Sequence, residues 1–199
     1  QSLYARAAFS PPWTVIESPV NYRSPRTLVD FMNHLELCDR PIEAGSTISG
    51  FDPIWHWYVD QADMVDQTER ALKDLMDQGY APENIVILTY QGLANSKFFA
   101  SDAPKGLNQI ALKRQDGYDT AGQVKQTDGR VLVETLYRFK GQAADAVILT
   151  EVDFEELDDK NRRKLFVALS RARLHVTYIT SERARDVLLE KINSSQSEG

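Results

Sequence analysis

With 199 residues, 42% of them hydrophobic and 26% charged, the chain is long enough for one large domain or two small ones with a sizeable core. A net charge of −6 argues against coating nucleic acid by bulk positive charge, while leaving room for a local groove with a few placed cations. Cys38 is the only cysteine, so an intramolecular disulfide is excluded and a zinc cluster disfavoured. No apolar run reaches transmembrane length and no signal-peptide pattern opens the sequence, so a reducing, cytoplasmic setting is expected.

In chain order, "WTVIE" (13–17) reads as extended. "SPRTLVDFMNHLELC" (24–38) reads as a helix, with Ser24 as N-cap and Pro25 at the first helical position. "IWHWYVD" (54–60) has the aromatic and β-branched character of a strand. Residues 61–78 carry helical spacing through Ala62, Val65, Leu72, Leu75 and Met76, and Gly79 is placed to end that helix. "NIVILTY" (84–90), "RVLVETL" (130–136) and "DAVILTE" (145–151) are near-continuous apolar runs, as expected of strands buried on both faces. Residues 91–129 are polar and Gly-rich and give no clear element, although "TDGR" (127–130) reads as a tight turn into the next strand.

The stretch "RRKLFVALSRARLHVTYIT" (162–180) starts as a helix, with Leu165, Ala168, Leu169 and Ala172 on one apolar face. It ends in a strand, "HVTYIT" (175–180). A last helix over 181–192, capped by Ser181, precedes the polar tail "NSSQSEG". Alternating strands and helices with doubly buried strands predict an α/β fold, a parallel sheet with helices on both faces.

Such a fold often binds nucleotide, yet neither G-x-x-x-x-G-K-[ST] nor G-x-G-x-x-G occurs. The chain therefore lacks the means to cradle a polyphosphate alone. His56 and His175 lie within strands and read as packing residues, and the acidic run "TEVDFEELDD" (150–159) reads as a solvated loop rather than a metal site.

Four short segments then stand in a telling order: "QSLY" (1–4), "NYRSP" (21–25), "ETLYRFKGQAADAVIL" (134–149) and "LFVALSRAR" (165–173). With them the sequence resembles the UvrD/Rep-like superfamily 1 DNA helicases, specifically their second, C-terminal RecA-like motor domain. That resemblance implies a P-loop NTPase-like domain lacking the P-loop: residues 1–12 as the end of a first motor domain and linker, 13–192 as the second RecA-like domain, and 193–199 as a tail. It also implies ATP with Mg²⁺, both held mainly by an N-terminal RecA-like domain of the same protein, and single-stranded DNA as partner. The start at Gln1 rather than Met agrees with a longer parent chain.

Residue by residue, the resemblance makes Arg23 and Arg171 arginine fingers for the γ-phosphate. An arginine suits that role because its planar, permanently charged fork pairs with phosphate oxygens bidentately. Gln1 would sense the γ-phosphate, Lys140 and Gly141 would form the turn beside the nucleotide cleft, and Tyr4, Thr135 and Tyr137 would contact single-stranded DNA. Lys164 reads as a solvated neighbour, with a phosphate contact as its alternative. Two departures stand out: Tyr137 replaces the family histidine, and Ala143 replaces the glutamate that holds the ribose. The implied activity is that of an ATP-dependent DNA helicase or translocase in the full-length protein, with the isolated chain inactive. The alternatives are a divergent ATP-dependent switch and a non-enzymatic binding module on the same fold.

Overall fold

A computed structural model describes residues 19–197, with side chains through residue 194. The expected strand at 13–17 lies outside the described residues. The elements run β1 (Val20–Asn21), α1 (Arg26–His34), β2 (Glu43–Ala44), β3 (Ile54–Tyr58), α2 (Gln61–Asp77), β4 (Ile85–Thr89), β5 (Gly106–Leu107), β6 (Ile110–Lys113), β7 (Gln115–Tyr118), β8 (Val124–Gln126), β9 (Val131–Thr135), β10 (Ala144–Val152), α3 (Asp159–Leu169), β11 (Ala172–Ser181) and α4 (Glu182–Ser197). A seven-stranded sheet has the order β3-β11-β10-β4-β9-β6-β5. All its neighbours pair parallel except β5 with β6.

Both faces of the central strands are covered, as their unbroken apolar runs require. Val86 and Leu88 of β4, Val147 and Leu149 of β10, and Val176 and Tyr178 of β11 point to one face. There they pack with Leu28 and Met32 of α1, Leu165 and Leu169 of α3, and Leu188 of α4. The alternate residues Ile85, Ile87, Ala146, Ile148 and Ile179 join Met64, Leu72 and Leu75 of α2 on the other. Each such fully buried side chain contributes about 1.5–3 kcal/mol of transfer free energy. The fold is α/β with helices on both faces, as expected from sequence.

The α2 helix has the ends its sequence predicts. Asp60 Oδ1 accepts from the Asp63 N–H at 2.9 Å, and Gly79 sits at φ +96° with its N–H bonded to Met76 O. Tyr80 N–H reaches Leu75 O at 3.1 Å, which completes a Schellman turn. Ser181 Oγ accepts from the Ala184 N–H at 3.2 Å, so it caps α4 as expected.

Other boundaries differ. The α1 helix starts at Arg26 with Pro25 as its N-cap, not Ser24, because Ser24 is drawn into a hydrogen-bonded turn around Asn21. It ends at His34, not residue 38, since Glu36 takes φ +49° and Leu37 N–H closes back on Met32 O. The α3 helix stops at Leu169, and Ala172 belongs to β11, which begins before His175. The apolar spacing of 165–172 therefore joins a helix face and a strand.

Residues 91–129 carry two hairpins. In the first, Asn108 and Gln109 both have positive φ (47° and 64°) between β5 and β6, and Asn108 is pinned to Glu69 through its N–H and side-chain amide. In the second, β7 pairs with β8 alone. "TDGR" is therefore no hairpin turn: it crosses from β8 past β6 into β9, and Gly129 runs directly against the backbone of Leu112 and Lys113. A Cβ on Gly129 would lie 2.5 Å from both. Gly129→Ala should lower unfolding stability by about 1–3 kcal/mol in urea. Gly92→Ala, where a Cβ meets nothing within 4 Å, should stay within about 0.5 kcal/mol of the parent. Equal unfolding midpoints for the two variants would contradict this packing.

Candidate functional site

Parallel strands give the sheet two unlike edges, and the sequence-predicted site residues fall on both. At the edge where β10 and β11 begin lies an open cleft of about 750 Å³, lined by Pro19, Val20, Asn21, Tyr22, Arg23, Ile42, Phe166, Ser170 and Arg171. It holds both finger candidates and, among the described residues, no carboxylate.

Local bonding explains why each arginine stands there. Asn21 Oδ1 accepts from the N–H groups of Arg23 (2.9 Å) and Ser24 (3.0 Å), and its Nδ2 donates to Ser24 Oγ at 3.2 Å. This side-chain-closed turn holds the backbone at Arg23 while the exposed guanidinium makes no ion pair among the described residues. Asn21 is a positioning residue that sequence reasoning passed over as one letter of a motif. Gly45 leaves room for the neighbouring Tyr22 ring, which a Cβ there would meet at 2.5 Å.

Arg171 follows the last turn of α3 and is buried, with 7% of its surface exposed. Its Nε donates to Val167 O (3.2 Å) and its Nη1 to Gln142 O (3.3 Å), both backbone carbonyls. Val167 O belongs to the carbonyl end of α3, where a cation is favoured. No carboxylate neutralises the charge among the described residues. Burial, and then the neighbouring Arg23, push the Arg171 pKa down. Two cations held close together without a counter-ion form a receptor for an anion.

Thr135, Tyr137, Lys140 and Gly141 form the path from the opposite edge. Thr135 ends β9, level with Thr89 of β4, itself level with Thr150 of β10. Ala144, where β10 begins, pairs with Ala172, and its N–H donates to Arg171 O at 3.0 Å. Six residues of strand separate Ala144 from Thr150, so the two edges lie about 20 Å apart. Residues 136–143 span that distance. Buried Leu136 and Phe139 fasten the segment to the core, while Tyr137 is 67% exposed and Gly141 takes φ +87°. Gln142, next to Ala143, supplies the carbonyl that holds Arg171. The "ETLYRFKGQA" and "SRAR" segments are thus joined by hydrogen bonds.

Other candidates lie elsewhere. Lys164 donates to Tyr90 O at 3.2 Å and sits 4.1 Å over the Tyr90 ring, away from the arginine cleft. The acidic run is engaged locally: Asp153 and Glu155 pair with Arg183, and Asp158 caps α3. Among the described residues, no group of three or more His, Cys, Asp or Glu could hold a metal ion. No described helix is long and apolar enough to cross a membrane. Gln1 and Tyr4 lie outside the described residues.

Comparison with known proteins fits this geometry. Residues 130–179, from β9 through β11, match the family described as UvrD-like helicase C-terminal domain. None of the curated proteins matches the chain. Among solved structures, the C-terminal domain of a possible DNA helicase from Lactobacillus plantarun WCFS1 superposes with a TM-score of 0.54 at 20% identity, over 84% of this chain and 94% of that one. At that identity the likeness establishes a shared fold. The matched segment contains Thr135, Lys140, Gly141 and Arg171, and over it the chain is similar to the C-terminal domains of UvrD-like helicases.

Proposed function

We propose that the chain is the second motor domain of an ATP-dependent DNA helicase or translocase acting in the cytoplasm. Residues 13–192 form the motor domain, 1–12 the connection to an N-terminal RecA-like domain, and 193–199 a tail. The observation that carries this reading is the convergence of Arg23 and Arg171 in one cleft that has no carboxylate among the described residues.

The residues present fit the terminal phosphate of ATP and little more of the nucleotide. Arg171 already has two of its three nitrogens fastened to carbonyls, so its orientation costs little entropy to hold, and Arg23 comes from a turn closed by Asn21. Lys140, Gly141 and Gln1 complete the cleft in this reading. Phosphates and Mg²⁺ would be held mainly by the N-terminal domain, since no phosphate loop exists here. Bound ATP supplies the transferable phosphoryl group, and the two guanidinium groups stabilise the negative charge that spreads over it.

Single-stranded DNA would lie at the far edge of the sheet beside the end of β9, two strands away from β10. Thr135 meets its backbone and exposed Tyr137 offers a face for a base, as Tyr4 would from the connecting segment. Segment 136–143 then couples DNA to ATP. It is short, anchored by Leu136 and Phe139, and ends on the carbonyl that positions Arg171.

In the intact protein, Arg171→Ala should lower kcat for ATP by on the order of 10³-fold or more, with KM changed only a few-fold. Arg171→Lys should recover little, because an ammonium cannot satisfy Val167 O, Gln142 O and a phosphate in the same fork. Near-normal turnover of Arg171→Ala would contradict the assignment.

A second reading, an ATP-dependent switch that moves on no DNA, is favoured by one observation: Ala143 stands where helicases of this type carry a ribose-binding glutamate. Single-stranded DNA decides between them. The motor reading expects it to raise ATP turnover of the intact protein, and Tyr137→Ala to raise the DNA concentration needed for half-stimulation by about tenfold. A switch would show no stimulation at all.

A further inference from the structure

A second cavity, of about 330 Å³, opens at the far edge of the sheet beside the ends of β3 and β10. Asp60, Glu151 and Asp153 line it, with Met64, Tyr58 and Asn95, and no Lys or Arg is among its described lining residues. Asp60 and Asp153 are engaged in part, Asp60 as the cap of α2 and Asp153 with Ser181 and Arg183. Glu151 is different.

Glu151 is 95% buried, with 5% of its surface exposed. Its Oε1 accepts from the Lys97 N–H at 2.6 Å, and its buried Oε2 has no hydrogen-bond partner. Its backbone is also unusual, a non-glycine strand residue at φ +62°. The cause is a bulge. Leu149 pairs with Tyr178 and Val152 with Thr180, so three steps on β10 match two on β11. The extra residue resets the alternation: Leu149 and Val152 both pack on the α1/α3/α4 face, although regular spacing would place them on opposite faces. Glu151 is thereby turned out of the core toward the cavity. Burial pushes the Glu151 pKa up, against the Ser96 hydroxyl and the Lys97 and Phe98 N–H groups, so a cationic donor at Oε2 would favour its ionised form.

The surroundings decide which donor. A phosphate would meet three carboxylates, and a nucleobase would bring its phosphates toward them. Among the described residues, a metal ion lacks a ligand set. We infer that this cavity receives the guanidinium of an arginine side chain presented by a protein partner, the aliphatic stem lying on Met64 and Tyr58 and the head donating to Glu151 Oε2. The planar fork can reach Glu151 and a rim carboxylate together, which an ammonium does less well. Burial, together with Asp153 and Glu151, also pushes the Tyr58 pKa up, in keeping with a negative local potential. None of these residues lines the Arg23–Arg171 cleft, so this inference stands or falls apart from the nucleotide reading.

The test is a titration of the isotope-labelled chain, followed by amide NMR, with acetyl-Gly-Arg-Gly-amide and with the same peptide carrying citrulline, an uncharged isostere. The arginine peptide should shift the amides of Tyr58, Asn95 and Glu151 saturably, and the citrulline peptide should not. Glu151→Gln keeps an acceptor for the Lys97 N–H but removes the charge, and should weaken binding at least about tenfold. Asp60→Asn keeps the cap of α2 and should weaken it by a smaller factor, which decides the matter if Glu151→Gln fails to fold. Equal binding of both peptides, no shift with arginine, parental affinity in Asp60→Asn, or a short oligothymidine shifting the same amides instead would overturn the inference.

Discussion

The structure depends on the burial of β4 and β10 on both faces. Parallel strands with no solvent-facing side must be covered twice, so α2 is placed on one face and α1, α3 and α4 on the other. The same parallel order sends every connection back across the sheet, and that separates two edges with different chemistry. At one edge, chain segments returning to start new strands bring Arg171 beside Arg23. At the other, strand ends leave Thr135, Thr89 and Thr150 in a row, with Glu151 turned aside by its bulge.

Charge distribution, not net charge, gives the domain its character. An overall charge of −6 coexists with a cleft that holds two guanidinium groups and, among the described residues, no carboxylate. At the far edge Asp153 and Glu155 hold Arg183 and Asp60 caps α2. The cleft arginine is fixed by dipoles rather than by a counter-ion, which keeps its charge available to a ligand. A carboxylate in place of the Gln142 carbonyl would hold Arg171 as firmly and neutralise its charge.

Much of this was legible in the residues. "NIVILTY", "RVLVETL" and "DAVILTE" could be read as central strands because a doubly buried strand has no alternation to obscure. Gly79 marked the end of α2 for a stated stereochemical reason, whereas the Asp60 cap was seen only in the structure. What escaped was settled by tertiary contacts. The apolar spacing through Leu165, Ala168, Leu169 and Ala172 continues smoothly across the true end of α3, since no Gly or Pro interrupts it. The strands of 106–126 are two to four residues long and largely polar, too short for periodicity to show. Nothing in "VILTEVD" signals that Glu151 leaves the strand's alternation. The role of Asn21 is visible only once Ser24 is seen turned away from α1. The arginine pair was approached through family likeness, and the structure adds that the two share one cleft and how each is held there.

The central claim is that Arg23 and Arg171 together face the phosphoryl group of a nucleotide brought by another domain. Its most direct test is arginine side-chain NMR of the intact protein, labelled at the guanidinium nitrogens, with ADP and aluminium fluoride as a mimic of the transferring phosphate. Both Arg23 and Arg171 Nε resonances should shift and sharpen as the mimic binds, and ADP alone should leave them nearly unchanged. Binding of the mimic with neither resonance moving would contradict the account.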